Sequence, residues 1–365
     1  MKVLYVGGFE MPDGNAAAQR VLAIAKSLGP NYEIRFLGLT HTDNFKGVVD
    51  GFEYVNLPYP KSKKEWVEHL SGSRELRRMK SNMPDIIIAY NYPALGLWRL
   101  LRICKNMGIK LIGDVTEWYH AHNVLKWLDT QWRMKRIHKK LDGLIVISKY
   151  LSDYYIAKKQ IRIPPTLDLA SPLWSNNQNS SFGEPLSLLY VGSPGRGDKD
   201  RLDRIVDVIK PFSRLSLKIV GITVEDFCII YKRNDVPKNV VFLGRLSHEM
   251  AAKELIRADF SIFFRDPIRQ NNAGFPTKYA EAAAAGVPVI SNHFSDLGEL
   301  IINGENGFIA ENNMASVLSI LKQVADLPLE DVERMKRYCR KHNEMFDYRY
   351  YSSALNLFMN TICDN

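Results

Sequence analysis

Lys278 and Glu281 stand three residues apart in NNAGFPTKYAEAAAAGVPVISN, the stretch from Asn271 to Asn292. On a helix that spacing brings both side chains to one face. Pro276 suits a first helical turn, where its missing N–H is not needed, and Thr277 and Lys278 follow it as free donors. Open N–H groups beside a lysine form an anion site. The pair could therefore hold both ends of a nucleoside diphosphate, with phosphate by Lys278 and ribose by Glu281. The alanines between Ala280 and Ala285 let the helix pack close to a sheet, Gly286 closes it, and a short strand is expected from Val287 to Ser291. The same pattern also suits a tightly packed helix whose Lys278 and Glu281 form a surface pair.

A second candidate is GSPGRGDKD, after a strand expected at Leu186–Val191. Gly192, Gly195 and Gly197 permit close backbone approach, and Arg196 and Lys199 place cations beside it. Asp198 and Asp200 match the Asp-x-Asp spelling of metal-dependent transferases of another fold. Their basic surroundings argue against a metal site, and the pair reads as a helix N-cap. A third candidate is DVTEWYH, from Asp114 to His120, directly after a strand, where Glu117 and His120 carry the useful chemistry. His120, set among aromatics, equally suits plain packing.

The segment KWLDTQWRMKRIHKK interleaves Lys126, Arg133, Lys135 and Arg136 with Trp127 and Trp132. A basic, tryptophan-bearing amphipathic helix suits an anionic membrane surface. It also suits a solvated charged face with the tryptophans in the core. Nucleic acid is disfavoured because no binding motif or basic-aromatic repeat is present.

The elements that must position these groups are legible in the chain order. Its 365 residues, 46% hydrophobic and 24% charged, suit two soluble globular domains, and the net charge of +9 favours anionic partners. No apolar run reaches the length of a membrane span, and MKVLYVGGF reads as a first strand without a signal-peptide pattern. Four cysteines lack metal spacing and fit reduced thiols of a cytoplasmic protein. Strands are expected at Lys2–Gly7, Glu33–Leu37, Asp85–Ala89, Lys110–Gly113 and Gly143–Ile147, then at Leu186–Val191, Lys218–Gly221, Val240–Leu243 and Asp259–Phe264. Helical or loop segments separate them, which implies parallel, doubly wound α/β sheets. Asp13-Gly14-Asn15 offers a turn and an N-cap after the first strand. No GxGxxG is present, which disfavours a nicotinamide enzyme. Ile163-Pro164-Pro165 reads as a linker, with the boundary near Pro165. Ser295-Asp296 is expected to cap a late helix, and Asn306-Gly307-Phe308 to form a structural turn.

GFPTKYAEAAAAGVPVIS resembles the donor-binding segment of GT-B glycosyltransferases of family 4, in its bacterial polysaccharide-type branch. The resemblance extends to the first forty residues and to Tyr190–Ile209. It implies two facing Rossmann-like domains: 1–165 for the acceptor, 166–346 for a nucleotide sugar, and 347–365 as a helix returning to the first. It also implies transfer of a sugar with retention, from a UDP- or GDP-sugar to a glycan or lipid-linked acceptor, in cell-surface polysaccharide or glycoconjugate synthesis. No metal and no other cofactor is implied. Arg196 and Lys199 would neutralise the diphosphate, and Glu117 and His120 would lie near the transferred sugar. Gly14, Gly192, Gly274, Phe275, Pro276, Thr277 and Lys278 would surround the donor. Gly244, Arg245 and Leu246 would lie under its base, and Glu281 would hold the ribose. Where many members carry a sugar-contacting glutamate, this chain has Ala273. A 2-epimerase of the same architecture, or a non-catalytic binding subunit, are the alternatives. The expected location is the cytoplasm, with peripheral contact to the inner face of the membrane through the basic helix.

Overall fold

The structure is a computed structural model that describes residues 1–12, 15–43, 45–79, 83–120, 123–175, 185–192 and 200–364. The chain divides into two compact units. One comprises Met1–Thr166, Ala273–Phe275 and Tyr348–Asn365, the other Leu167–Asn272 and Pro276–Asp347.

The first unit is built on an eight-stranded sheet among the described residues. Its strands are β1 (Lys2–Gly7), β2 (Glu33–Thr40), β3 (Lys46–Val49), β4 (Phe52–Pro58), β5 (Ile86–Tyr90), β6 (Lys110–Val115), β7 (Gly143–Val146) and β8 (Gln160–Arg162). The spatial order is β3-β4-β2-β1-β5-β6-β7-β8, parallel except for the edge pair β3–β4. Central strands such as β5, IIIAY, are apolar on both faces because helices cover both sides. The C-terminal helix Ser352–Cys363 buries Leu355, Phe358, Met359 and Ile362 in the same core as Tyr5, Phe36 and Ile88. β3, β4 and β8 are not evident from the sequence. β3 and β8 are short edge strands, and β4 carries polar Glu53 and Asn56 within its apolar pattern.

The second unit carries six strands among the described residues: β9 (Leu186–Val191), β10 (Leu215–Val220), β11 (Val240–Gly244), β12 (Phe260–Ile262), β13 (Val289–Asn292) and β14 (Gly307–Ala310). All pairs are parallel, in the order β11-β10-β9-β12-β13-β14. Numbered from the unit's first strand, this is the 3-2-1-4-5-6 winding of a Rossmann-like sheet, whose direction reverses between β9 and β12. Asn306-Gly307-Phe308 is therefore not only a turn, since Gly307 starts β14. The helix Thr277–Ala285 buries Tyr279, Ala280, Ala282, Ala284 and Ala285, and ends at Gly286 with φ of 67°. A Cβ there would come within 2.2 Å of Arg340 Cγ, so both the left-handed turn and the close neighbouring helix require glycine. Asp296 occupies the N-cap position of Leu297–Leu300, but its side chain makes no capping bond.

Candidate functional site

In doubly wound sheets the loops at the strands' carboxyl ends diverge where the winding reverses, and this leaves a crevice for ligands. In the second unit that point lies beyond β9 and β12, and it is filled by a charged cluster. Asp200, nearly buried, accepts hydrogen bonds from Lys278 Nζ, from Arg265 Nε at 2.5 Å and from Tyr190 Oη at 2.9 Å. Each partner is supplied by a different element. Tyr190 comes from β9, Arg265 follows β12, and Lys278 lies in the first turn of Thr277–Ala285. Asn292, at the end of β13, pins the Arg265 backbone from both sides, with its Oδ1 2.9 Å from Arg265 N and its Nδ2 2.7 Å from Arg265 O.

Gly192 makes room for the lysine. Its φ is 155°, and a Cβ would meet Lys278 Nζ at 2.8 Å and Tyr190 Oη at 3.1 Å. The ammonium also lies 4.7 Å from the centre of the Tyr190 ring. Burial alone would raise the Asp200 pKa, but Lys278 and Arg265 outweigh it and hold the carboxyl below the usual carboxylate range. Burial lowers the Lys278 pKa, and the Asp200 charge opposes that shift. Two cations facing one carboxylate leave an excess of one positive charge. A bound phosphate would complete the neutralisation.

Beside the cluster lies a cavity of about 330 Å³ lined by Trp174, Gly192, Gly221, Arg245, Leu246 and Glu281, among others. Its lining is mostly apolar with a few polar groups, as in small-molecule sites. The Glu281 carboxylate has no hydrogen-bond partner among the described residues. Burial raises its pKa, while His248 and Lys278 oppose the shift. The N–H groups of Thr277 and Lys278 likewise meet no acceptor among the described residues, since Pro276 offers no side-chain cap. Glu281 lines the cavity, and Gly192, also in its lining, lies against the Lys278 ammonium. Among the described residues there is no group of three or more His, Cys, Asp or Glu side chains able to hold a metal ion.

Gly192, Arg245, Leu246 and Glu281 line this cavity, and Lys278 lies beside it against Gly192. Gly244 ends β11 with φ of 66°, just before the two lining residues. Lys278 and Glu281 do not form a surface pair, because Lys278 turns to Asp200 instead. Asp200 does not cap the following helix. Arg201 takes the N-cap position without a capping bond, and the Asp200 carboxylate is occupied by the two cations and the tyrosine. Gly14, Arg196, Lys199 and Asp198 lie outside the described residues. Ala273 is fully buried, and its carbonyl accepts from Ser148 Oγ at 2.8 Å within the first unit. Gly274 is half-buried, Phe275 and Pro276 are buried, and Thr277 is exposed.

Glu117 and His120 belong to the first unit, just past β6, with Glu117 half-buried and His120 exposed. Lys126, Trp127, Trp132, Lys135 and Arg136 are exposed. Arg133 is not. It is 4% exposed and donates to the carbonyls of Asn91 and Tyr92 at 2.7 and 3.2 Å, because its position on the helix points inward. Sequence reasoning did not find Asp200, Tyr190 and Trp174 as site residues. Arg265 had one usable signal, a cation at the carboxyl end of the apolar run Phe260–Phe264.

Residues 185–326 match the family described as Glycosyl transferases group 1, so the second unit carries a domain of that type. A glycogen synthase of Mycobacterium tuberculosis is 27% identical over 175 residues, 47% of this chain and 41% of the relative. The match thus spans less than half the length of that relative. Among solved structures, the apo lipopolysaccharide outer core galactosyltransferase WaaB superposes with a TM-score of 0.71 at 16% identity, covering 99% of each chain. Anabaena HepE in complex with UDP-glucose superposes at 0.67 and 14% identity, covering 100% of each. The fold is GT-B, two Rossmann-like parallel-sheet domains.

Proposed function

We propose that this protein is a retaining, metal-independent glycosyltransferase of family 4 that moves a sugar from a nucleoside-diphosphate sugar to a glycan or lipid-linked acceptor. The observation that carries the reading is the Glu281 carboxylate in a cavity whose Gly192 lies against the Lys278 ammonium, the cation that shares Asp200 with Arg265. A nucleoside diphosphate has the matching parts. The base packs on the apolar wall with Leu246, the ribose hydroxyls donate to Glu281, and the diphosphate takes the positive end.

Breaking the glycosidic bond leaves charge on the departing diphosphate, and fixed cations and N–H groups stabilise that charge without reorganising. This role is assigned to Lys278, Arg265 and the Thr277 and Lys278 N–H groups, with Arg196 and Lys199 joining them. Glu117 and His120 are proposed to serve the acceptor side. UDP is favoured as the nucleotide because the structural relative HepE was solved with UDP-glucose. The products belong to cell-surface polysaccharide or glycoconjugate synthesis, made by a protein peripheral to the inner face of the membrane.

A thermal-shift screen against UDP, GDP, ADP and CMP and their sugar conjugates tests the donor site. One nucleoside diphosphate should raise the melting temperature, and Glu281→Ala should abolish the shift. If no nucleotide stabilises the protein at millimolar concentration, the donor assignment fails. Conversion of the donor sugar without an acceptor would identify an epimerase instead.

A further inference from the structure

The helix Val124–Trp132 is turned inside out. Its polar residues hold it to the body of the first unit: Asp129 Oδ1 accepts from Ala94 N at 2.7 Å, and Arg133, just past its end, reaches the Asn91 and Tyr92 carbonyls. Its apolar residues face solvent. Val124, Leu125, Trp127, Leu128 and Trp132 are all exposed, Leu125 by 76% and Trp127 by 46%. At 100° per residue these five fall on one arc of the helix, opposite Thr130 and Arg133. The patch continues onto the neighbouring helix Ala94–Met107, where the Trp98 and Trp132 rings lie 6.2 Å apart and Arg102 stacks 4.5 Å over Trp98. Soluble surfaces rarely gather so many large apolar side chains.

Charge identifies the occupant. From Asn123 to Lys140 there are six Lys and Arg residues against the single carboxylate of Asp129, and that carboxylate is turned inward. Lys126 is exposed across the helix from the apolar arc, and Lys135, Arg136, Lys139 and Lys140 are exposed just past the helix end. A second copy seated on this face would bring its own cations against these, at a repulsive cost. Anionic headgroups over a hydrocarbon layer satisfy both parts at once, and tryptophans prefer that boundary. Among the described residues no helix is long and apolar enough to cross a membrane.

We infer that this face seats the protein on an anionic bilayer, with Leu125, Trp127 and Leu128 entering the interface and Lys135 and Arg136 holding phosphate headgroups. This deepens the peripheral part of the proposed function, and it is measured independently of the donor site.

The test is flotation of the full chain with vesicles of phosphatidylcholine alone or mixed with phosphatidylglycerol, alongside thermal shift by UDP. The wild type should float only with the anionic vesicles. Leu125→Ser/Leu128→Ser should lose more than about tenfold of that partition. Lys135→Gln/Arg136→Gln should lose about thirtyfold. All three proteins should keep the same nucleotide response. Wild type that stays unbound, or variants that bind as well as wild type, would overturn the inference. So would a wild-type dimer that Leu125→Ser/Leu128→Ser converts to monomer, since the face would then be a contact between copies. Wild type that responds to nucleotide but stays unbound to anionic vesicles removes only the membrane assignment, and wild type that floats but gives no nucleotide response removes only the donor assignment.

Discussion

Replacing Asp200 by asparagine keeps the shape of the cluster and removes the one negative charge between Lys278 and Arg265. The three side chains are 9%, 13% and 17% exposed, so the cations cannot readily recover water when their partner is lost. Removing one member of a buried ion pair costs about 3–5 kcal/mol. The partial exposure places this case at the lower end, about 3 kcal/mol. For a unit of this size that lowers the melting temperature by about 6–12 °C. Nucleotide binding should move the other way. In the wild type the diphosphate must share both cations with Asp200, whereas in Asp200→Asn it becomes their only anion. One unit charge at about 6 Å and an effective dielectric near 20 is worth about 2.8 kcal/mol. Screening at the open crevice reduces that to about 1.4 kcal/mol, or roughly tenfold tighter binding. The assay is calorimetric melting of both proteins with and without UDP. The variant should melt lower alone and gain more from UDP. An equally stable variant would show that the cluster does not hold the unit together, and an unchanged or smaller UDP gain would refute competition between Asp200 and the diphosphate.

The acid limb of stability should also change. The Asp200 pKa is depressed in the folded state, so its contribution is present above the unfolded carboxyl pKa of about 3.9 and is lost as pH falls through the lower folded value. Asp200→Asn should flatten that limb in acid titrations followed by circular dichroism, and an unaltered limb would contradict the assigned shift. Lys278→Ala should lower turnover by about a hundredfold or more, as loss of a donor to a developing anion does, and near-normal rates would remove its phosphate role. Glu281 has the opposite shift: its folded pKa is raised, so it favours the fold at low pH and loses that contribution as pH rises through the folded value. Glu281→Gln should therefore weaken UDP binding in titration calorimetry without lowering the neutral-pH melting temperature. A stability loss with intact affinity would make it a structural residue. Gly192→Ala should destabilise by about 1–3 kcal/mol and weaken UDP binding, since its Cβ would displace the Lys278 ammonium from a φ already strained for alanine. Wild-type melting and affinity in that variant would show that the close approach is unimportant.

The sequence by itself determined whatever depends on neighbours along the chain. The apolar runs of β1, β5 and β9 announce buried parallel strands, and the alanines closed by Gly286 announce a tightly packed helix. Lys278 and Glu281 share a face because three residues make nearly one helical turn. What each side chain meets was decided by tertiary structure. Asp200 lies 78 residues from Lys278 and 65 from Arg265, and no local pattern signals that the sheet winding brings all three to one point. The helix Val124–Trp132 divides in the same way. Its amphipathic period is legible, yet which arc faces solvent depended on Asp129 and Arg133 finding backbone partners on a neighbouring segment. Periodicity is set by the backbone's own geometry, whereas partnership is set by chain closure over long separations, where burial and charge pairing choose among faces that the local sequence leaves equivalent.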